Sequence, residues 1–210
     1  MKLNAPSAPN LPNGPLGYER QYQDQLNNVL RLYFNRMSDT LQTIVGNEGG
    51  QYLSFPYGAF YDTTTQTAPL ANTPYAVTFN NTTTTNSVQI GSPTSHVVVD
   101  EEGVYNFAFS LQLAKSTAAP GYAYIWYRVN GIDADDSATK VLLSGSSAAL
   151  VAAWNFFVPL NAGDYFQLMW AADNAHTEII QEPVTAFCPV IPSAILTVNF
   201  VSIPPQNASV

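Results

Sequence analysis

The stretch from Val104 to Leu113, VYNFAFSLQL, limits the fold more than any other part of the chain. Large apolar side chains stand at Tyr105, Phe107, Phe109, Leu111 and Leu113, with Val104, Asn106, Ala108, Ser110 and Gln112 between them. A period of two marks a β-strand, whose successive side chains point to opposite faces. Such a loaded face needs an apolar layer opposite, which a lone hairpin does not supply. The chain must therefore hold further strands. Tyr122 to Val129 reads as one, ending at Asn130-Gly131, a pair that accepts the positive φ of a tight hairpin turn. Trp154 to Leu160 puts Trp154, Phe156, Val158 and Leu160 on one side. The turn Asn161-Ala162-Gly163-Asp164 follows, and Tyr165 to Trp170 reads as the second arm of a hairpin. Ser193 to Ile203 is the last strand. Weaker strands are expected at Gly58–Tyr61, Tyr75–Phe79, His96–Val99, Lys140–Leu143 and Glu178–Gln181. This spacing, with polar turns, predicts an antiparallel sandwich or barrel. The polar run from Asn80 to Asn86 and the segment Ser144-Gly145-Ser146-Ser147 read as surface loops.

Ahead of this block the period changes. From Tyr18 to Val45 the apolar residues Tyr22, Leu26, Val29, Leu30, Tyr33, Met37, Leu41 and Ile44 recur in steps of three and four, so they share one helix face. Glu19 and Asp24 toward the start, and Arg31 and Arg36 further on, are expected to complement the helix dipole. Gly46 and Gly49-Gly50 are expected to end the helix. The stripe is too short and too aromatic for a simple coiled coil, and a helix draws most of its stability from packing. Its own β block, its symmetry mates or another protein must cover it. Tyr22, Leu26, Val29, Tyr33, Met37, Leu41 and Ile44 are the candidate oligomer or docking surface. Before the helix, Pro6, Pro9, Pro12 and Pro15 fall at every third residue, the repeat of polyproline II. With Leu3, Leu11 and Leu16 as apolar points, they predict an extended arm that anchors in a groove on a partner. The expected division is an arm over 1–17, a helix over 18–46 and a β domain over 47–210.

Charged residues make up 10% of the chain, against roughly 25% in an ordinary soluble domain. The surface is therefore neutral or hidden in an oligomer. Seven Lys and Arg are spread along a chain of net charge −8, which argues against a nucleic-acid partner. No apolar run approaches the length of a membrane span. The N-terminus has no apolar h-region, so it does not read as a signal peptide, and the chain is expected to stay in a cytoplasm until assembly. Cys188, the single cysteine, allows no intrachain disulfide and reads as a small buried hydrophobe.

Chemistry is sparse. His96 and His176 have no ligand-type neighbours at metal-binding spacing. There is no nucleophile elbow and no phosphate-binding glycine loop. Asp100-Glu101-Glu102 reads as a solvated turn. Asp133, Asp135 and Asp136 alternate, but Ala138 and Ser144 stand where a calcium loop needs Gly and Glu. Nothing places Asp133, Asp173 or Glu178 across a groove as a glycosidase pair. No catalytic residue, cofactor or metal is expected. Trp126, Trp154 and Trp170 read as core or interface residues, with an aromatic platform for sugars as the alternative.

The runs GVYNFAFSLQLAK, IWYRVNGIDADDSAT, AAWNFFVPLNAGDYFQLMWAADN and PSAILTVNFV resemble small virion proteins of tailed bacteriophages, including cyanophages. The N-terminal LPNGPLGYERQYQDQLNNVLRLYFNRM resembles the opening segment of many such proteins. The segment from Trp154 to Trp170 is the most specific part. In that family the C-terminal domain is similar to the trimeric jelly roll of tumour necrosis factor and the complement globular head. The resemblance implies a jelly roll of about ten strands and a homotrimer, with no catalytic residues to carry over. The expected function is that of a structural virion protein, a capsid decoration or short fibre. Its arm and helix would attach to another capsid or tail protein. The alternative is a receptor- or glycan-binding adhesion module whose distal loops meet host surface glycan.

Overall fold

The structure is a computed structural model, and it describes residues 7–45, 54–145 and 147–203. Leu3, Pro6, Gly46, Gly49, Gly50 and Ser146 of the expectations above lie outside these residues. The chain divides into two compact units, Met1–Ser54 and Phe55–Val210.

The first unit is built on α1, Arg20–Val45. The Gln23 amide donates to the Glu19 carbonyl at 3.2 Å, so Glu19 caps the helix rather than entering it. The expected charge pattern is not realised: the first turn holds no acid and the last turn no base. Arg31 and Arg36 fall mid-helix, too far from either end for the dipole to act on them. No residue of α1 is fully buried. The Tyr22 hydroxyl donates to the Pro12 carbonyl at 3.3 Å, tying the arm to the helix.

The second unit holds the strands. They are β1 (Tyr57–Asp62), β2 (Gln66–Thr67), β3 (Tyr75–Ala76), β4 (Asn81–Asn86), β5 (Val88–Ile90), β6 (Val97–Val99) and β7 (Gly103–Lys115). Then come β8 (Gly121–Val129), β9 (Ile132–Asp133), β10 (Thr139–Leu143), β11 (Ala149–Leu160), β12 (Tyr165–Ala172), β13 (Thr177–Ile179) and β14 (Ala194–Ser202). One sheet runs β4-β1-β14-β7-β11, with β13 and β2 beyond the Ala194 start of β14; the other is built on β5-β6-β12-β8-β10, with β3 and β9 added. All these pairings are antiparallel. This is a mainly β jelly-roll sandwich.

The core lies between the sheets, where the alternation of β7 requires it. Tyr105, Phe107, Leu111 and Leu113 are fully buried. Phe107 stacks on Phe166 across the gap, with ring centroids 4.0 Å apart. Val198 and Leu196 of β14 stand opposite Phe107 and Phe109. The Tyr105 hydroxyl donates to the Glu101 carbonyl at 2.6 Å. Burial, with the nearby Glu101 and Asp100 carboxylates, pushes this phenol up to about 12. At the Asn130-Gly131 turn both residues take positive φ, 51° and 81°.

Three expectations are corrected. Asn81–Asn86 is a strand, not a loop, because its threonines suit an extended edge and β1 offers the ladder. Tyr75–Phe79 shortens to Tyr75–Ala76, though the Val77 and Phe79 amides still bond to the carbonyls of Leu168 and Thr94. Trp154–Leu160 and Tyr165–Trp170 are not a hairpin. β11 pairs with β7 and β12 with β8, so the Asn161–Asp164 turn carries the chain from one sheet to the other.

Candidate oligomer interface

The first sheet turns one face to the core and the other outward. The outward residues follow from the alternation. They are Tyr57, Ala59 and Tyr61 on β1, and Ile195, Thr197, Asn199 and Val201 on β14. Even-numbered residues from Val104 to Ala114 do the same on β7, and odd-numbered residues from Ala149 to Pro159 on β11. With Asn81–Asn86 of β4 they form a face five strands wide that carries no charged side chain. Glu178 of β13 stands at its margin.

Charged residues are depleted at the buried centres of protein interfaces, and this face has that composition. Small residues at the centre, Ala108, Ser110 and Ala153, leave it low and flat. The larger apolar groups stand around them, with Phe157 60%, Val151 56% and Ile195 39% exposed. Two of the polar groups bond to each other: the Asn155 side chain donates to Asn106 Oδ1 at 2.9 Å.

β11 adds a second feature. Among the described residues it pairs only with β7, so its other backbone edge is open. Natural edge strands are guarded by charges, prolines, bulges or brevity. This one runs ALVAAWNFFVPL, with a single proline near its end and no charge. At the opposite side of the same sheet, an uncharged groove of about 690 Å³ opens between Ala59, Tyr61 and Ile195 and the loop residues Val184 and Val190. That loop closes through paired backbone bonds between Glu182 and Ile191. Cys188 sits in it half-buried, not in the core: the proline-broken segment joins no ladder, so its side chain stays near the surface.

The residues singled out from sequence lie elsewhere. Tyr22, Leu26, Val29, Leu30, Tyr33 and Met37 are half-buried on α1, whereas Leu41 and Ile44 are exposed. In the arm Pro9 and Pro12 are half-buried, and Leu11, Pro15 and Leu16 are exposed. His96 stacks flat on Tyr165, centroids 3.8 Å apart, and His176 is exposed. Trp170 is fully buried, while Trp126 lies on the outer face of the second sheet. The sheet face itself went unread in the sequence. Its signal was the neutrality of every position between the core residues of β7, β11 and β14.

No family model matches the sequence, and no curated protein matches it. Solved structures do resemble the β unit. That of Eiger TNF from S. frugiperda aligns with a TM-score of 0.50 at 11% identity, covering 75% of this chain and 99% of that one. The globular domain of zebrafish complement 1qA protein gives 0.44 at 14% identity, over 70% and 98%. Murine APRIL gives 0.43 at 9% identity, over 70% and 99%. The Eiger likeness supports the jelly-roll fold.

Proposed function

We propose that this chain is a homotrimeric structural protein of a tailed-phage virion, a capsid decoration or short fibre. In this reading the arm and helix hold it to another virion protein and the jelly roll projects. The observation that carries the trimer is the uncharged outer face of the first sheet together with the uncharged edge of β11. Edge and groove lie at opposite sides of one sheet. A contact between the edge of one copy and the face of the next is therefore heterologous, and such contacts close into a ring where the rotation between copies is a whole fraction of a turn. Three copies closing around an axis bury both features at once. The virion part of the reading rests on the sequence resemblance and on the proline-rich arm, whose one charged side chain is Lys2 and whose Leu11 and Leu16 are exposed. Three linked arms multiply weak docking events without new contacts.

Light scattering on the full chain is expected to give three times 22.8 kDa. A clean monomer at micromolar concentration refutes the trimer. Deleting residues 1–17 is expected to leave the trimer intact and abolish attachment to particles. Unchanged occupancy refutes the anchoring role.

A further inference from the structure

The second sheet has an outer face of opposite character. On β8 the outward positions are Tyr122, Tyr124, Trp126 and Arg128, all half-exposed. Residues two apart on a strand stand ~7 Å apart, so the three rings form a strip of roughly 13 Å. Their polar neighbours are ordered. The Asp133 carboxylate accepts from the Trp126 indole and from Arg128 Nε at 2.6 Å and Nη2 at 3.2 Å. The Lys140 ammonium lies 3.6 Å from the Tyr122 ring centroid and 5.6 Å from that of Tyr124. Of the three Lys and Arg in the β unit, Lys115 is buried and the other two, Arg128 and Lys140, both flank this strip.

We infer that the strip formed by Tyr124, Trp126, Asp133 and Lys140 is a binding site for a neutral pyranose oligosaccharide. The C–H face of a sugar ring is apolar and lies flat on an aromatic ring, while its rim of hydroxyls needs donors and acceptors at the ring edge. Tyr124 and Trp126 supply the platform, since neither stacks on another ring among the described residues; Tyr122 is capped by Lys140. Asp133 supplies the acceptor. Its bonds, first those from Arg128 and then that from Trp126, hold its carboxyl below the usual range and keep it ionised. Lys140 supplies the donor, and no carboxylate pairs with it among the described residues. A net charge of −8 disfavours an acidic sugar. A strip roughly 13 Å long and one strand wide also covers far less than the ~800 Å² per partner of an ordinary protein interface. The site belongs to the sheet opposite the proposed trimer face, so it stands or falls independently of the oligomer.

The test uses the full chain against a printed glycan array. Saturation-transfer NMR and titration calorimetry follow, with cellohexaose, maltohexaose, chitohexaose and tetragalacturonate at millimolar concentration. A neutral oligosaccharide is expected to bind, and the uronate is not. Trp126→Ala and Tyr124→Ala are each expected to weaken binding at least about tenfold, which is ~1.4 kcal/mol. Asp133→Asn is expected to weaken it while leaving the circular dichroism unchanged, which separates recognition from folding. No binding by any array glycan or probe, binding of the uronate alone, or binding that survives both aromatic substitutions in folded protein overturns the proposal. So does loss of self-association in Trp126→Ala, which marks the strip as an interface between copies.

Discussion

Replacing Phe157 by Ala puts a number on the oligomer. Phe157 points outward from β11 and is 60% exposed in the single chain, so its removal leaves the core untouched. A phenylalanine buries 150–250 Å², which leaves roughly 120 Å² for a neighbouring copy to cover. At about 25 cal/mol per Å² that area stabilises the assembly by ~3 kcal/mol per subunit. Three subunits then lose ~9 kcal/mol, or six to seven decades in the trimer dissociation constant. The concentration of half-dissociation varies as the square root of that constant. It is therefore expected to rise roughly a thousandfold in Phe157→Ala. Sedimentation or mass photometry across a dilution series reads this directly, with circular dichroism confirming that the released subunits keep their strands. A half-dissociation concentration within tenfold of the unsubstituted chain shows that β11 does not face a neighbour.

Two further variants address the core and the helix. In Tyr105 the folded phenol titrates at about 12 against 10.0 in the open chain. The fold thus favours the neutral form, and its contribution is complete below pH 10 and lost as pH rises from 10 toward 12. Urea unfolding is expected to show this loss, on the order of 2 kcal/mol at its limit, and Tyr105→Phe to flatten it; equal slopes in both proteins exclude the phenol as its source. Leu26→Asp combined with Met37→Asp is expected to weaken self-association or particle attachment, because both residues lie half-buried on one face of α1. Native mass and particle occupancy both unchanged would show that the stripe covers nothing.

The buried half of the fold was legible because core formation acts on alternate residues. Every large residue from Tyr105 to Leu113 that was assigned inward is inward. Pairing was less legible, because a turn signal marks where the chain reverses and not which strand receives it. The Asn161–Asp164 turn looked like a hairpin for that reason, while the partners of β11 and β12 lie at β7 and β8. The threonine run of β4 was misread because polarity spoke for a loop, whereas an edge strand with a solvent face accepts threonine readily. The candidate interface left a weaker trace still. Its mark is a missing property, charge, spread over positions far apart in sequence that only the register of five strands brings onto one face.

The pairing of β1 with β14 has a consequence for how the domain tolerates change. Tyr57 lies beside Asn199, so the chain enters and leaves the β unit at one pole. Gly103 and Leu160 share that pole. The turns after Asp62, Lys115 and Ala172 lie at the other, where Asp62 pairs with Ala194 and Lys115 with Thr177. Any fusion at either end of the unit therefore emerges at a single pole, while the distant turns can lengthen without disturbing it. Foreign peptides for surface display, and natural variation in loop length, have their room at the pole remote from Tyr57 and Asn199.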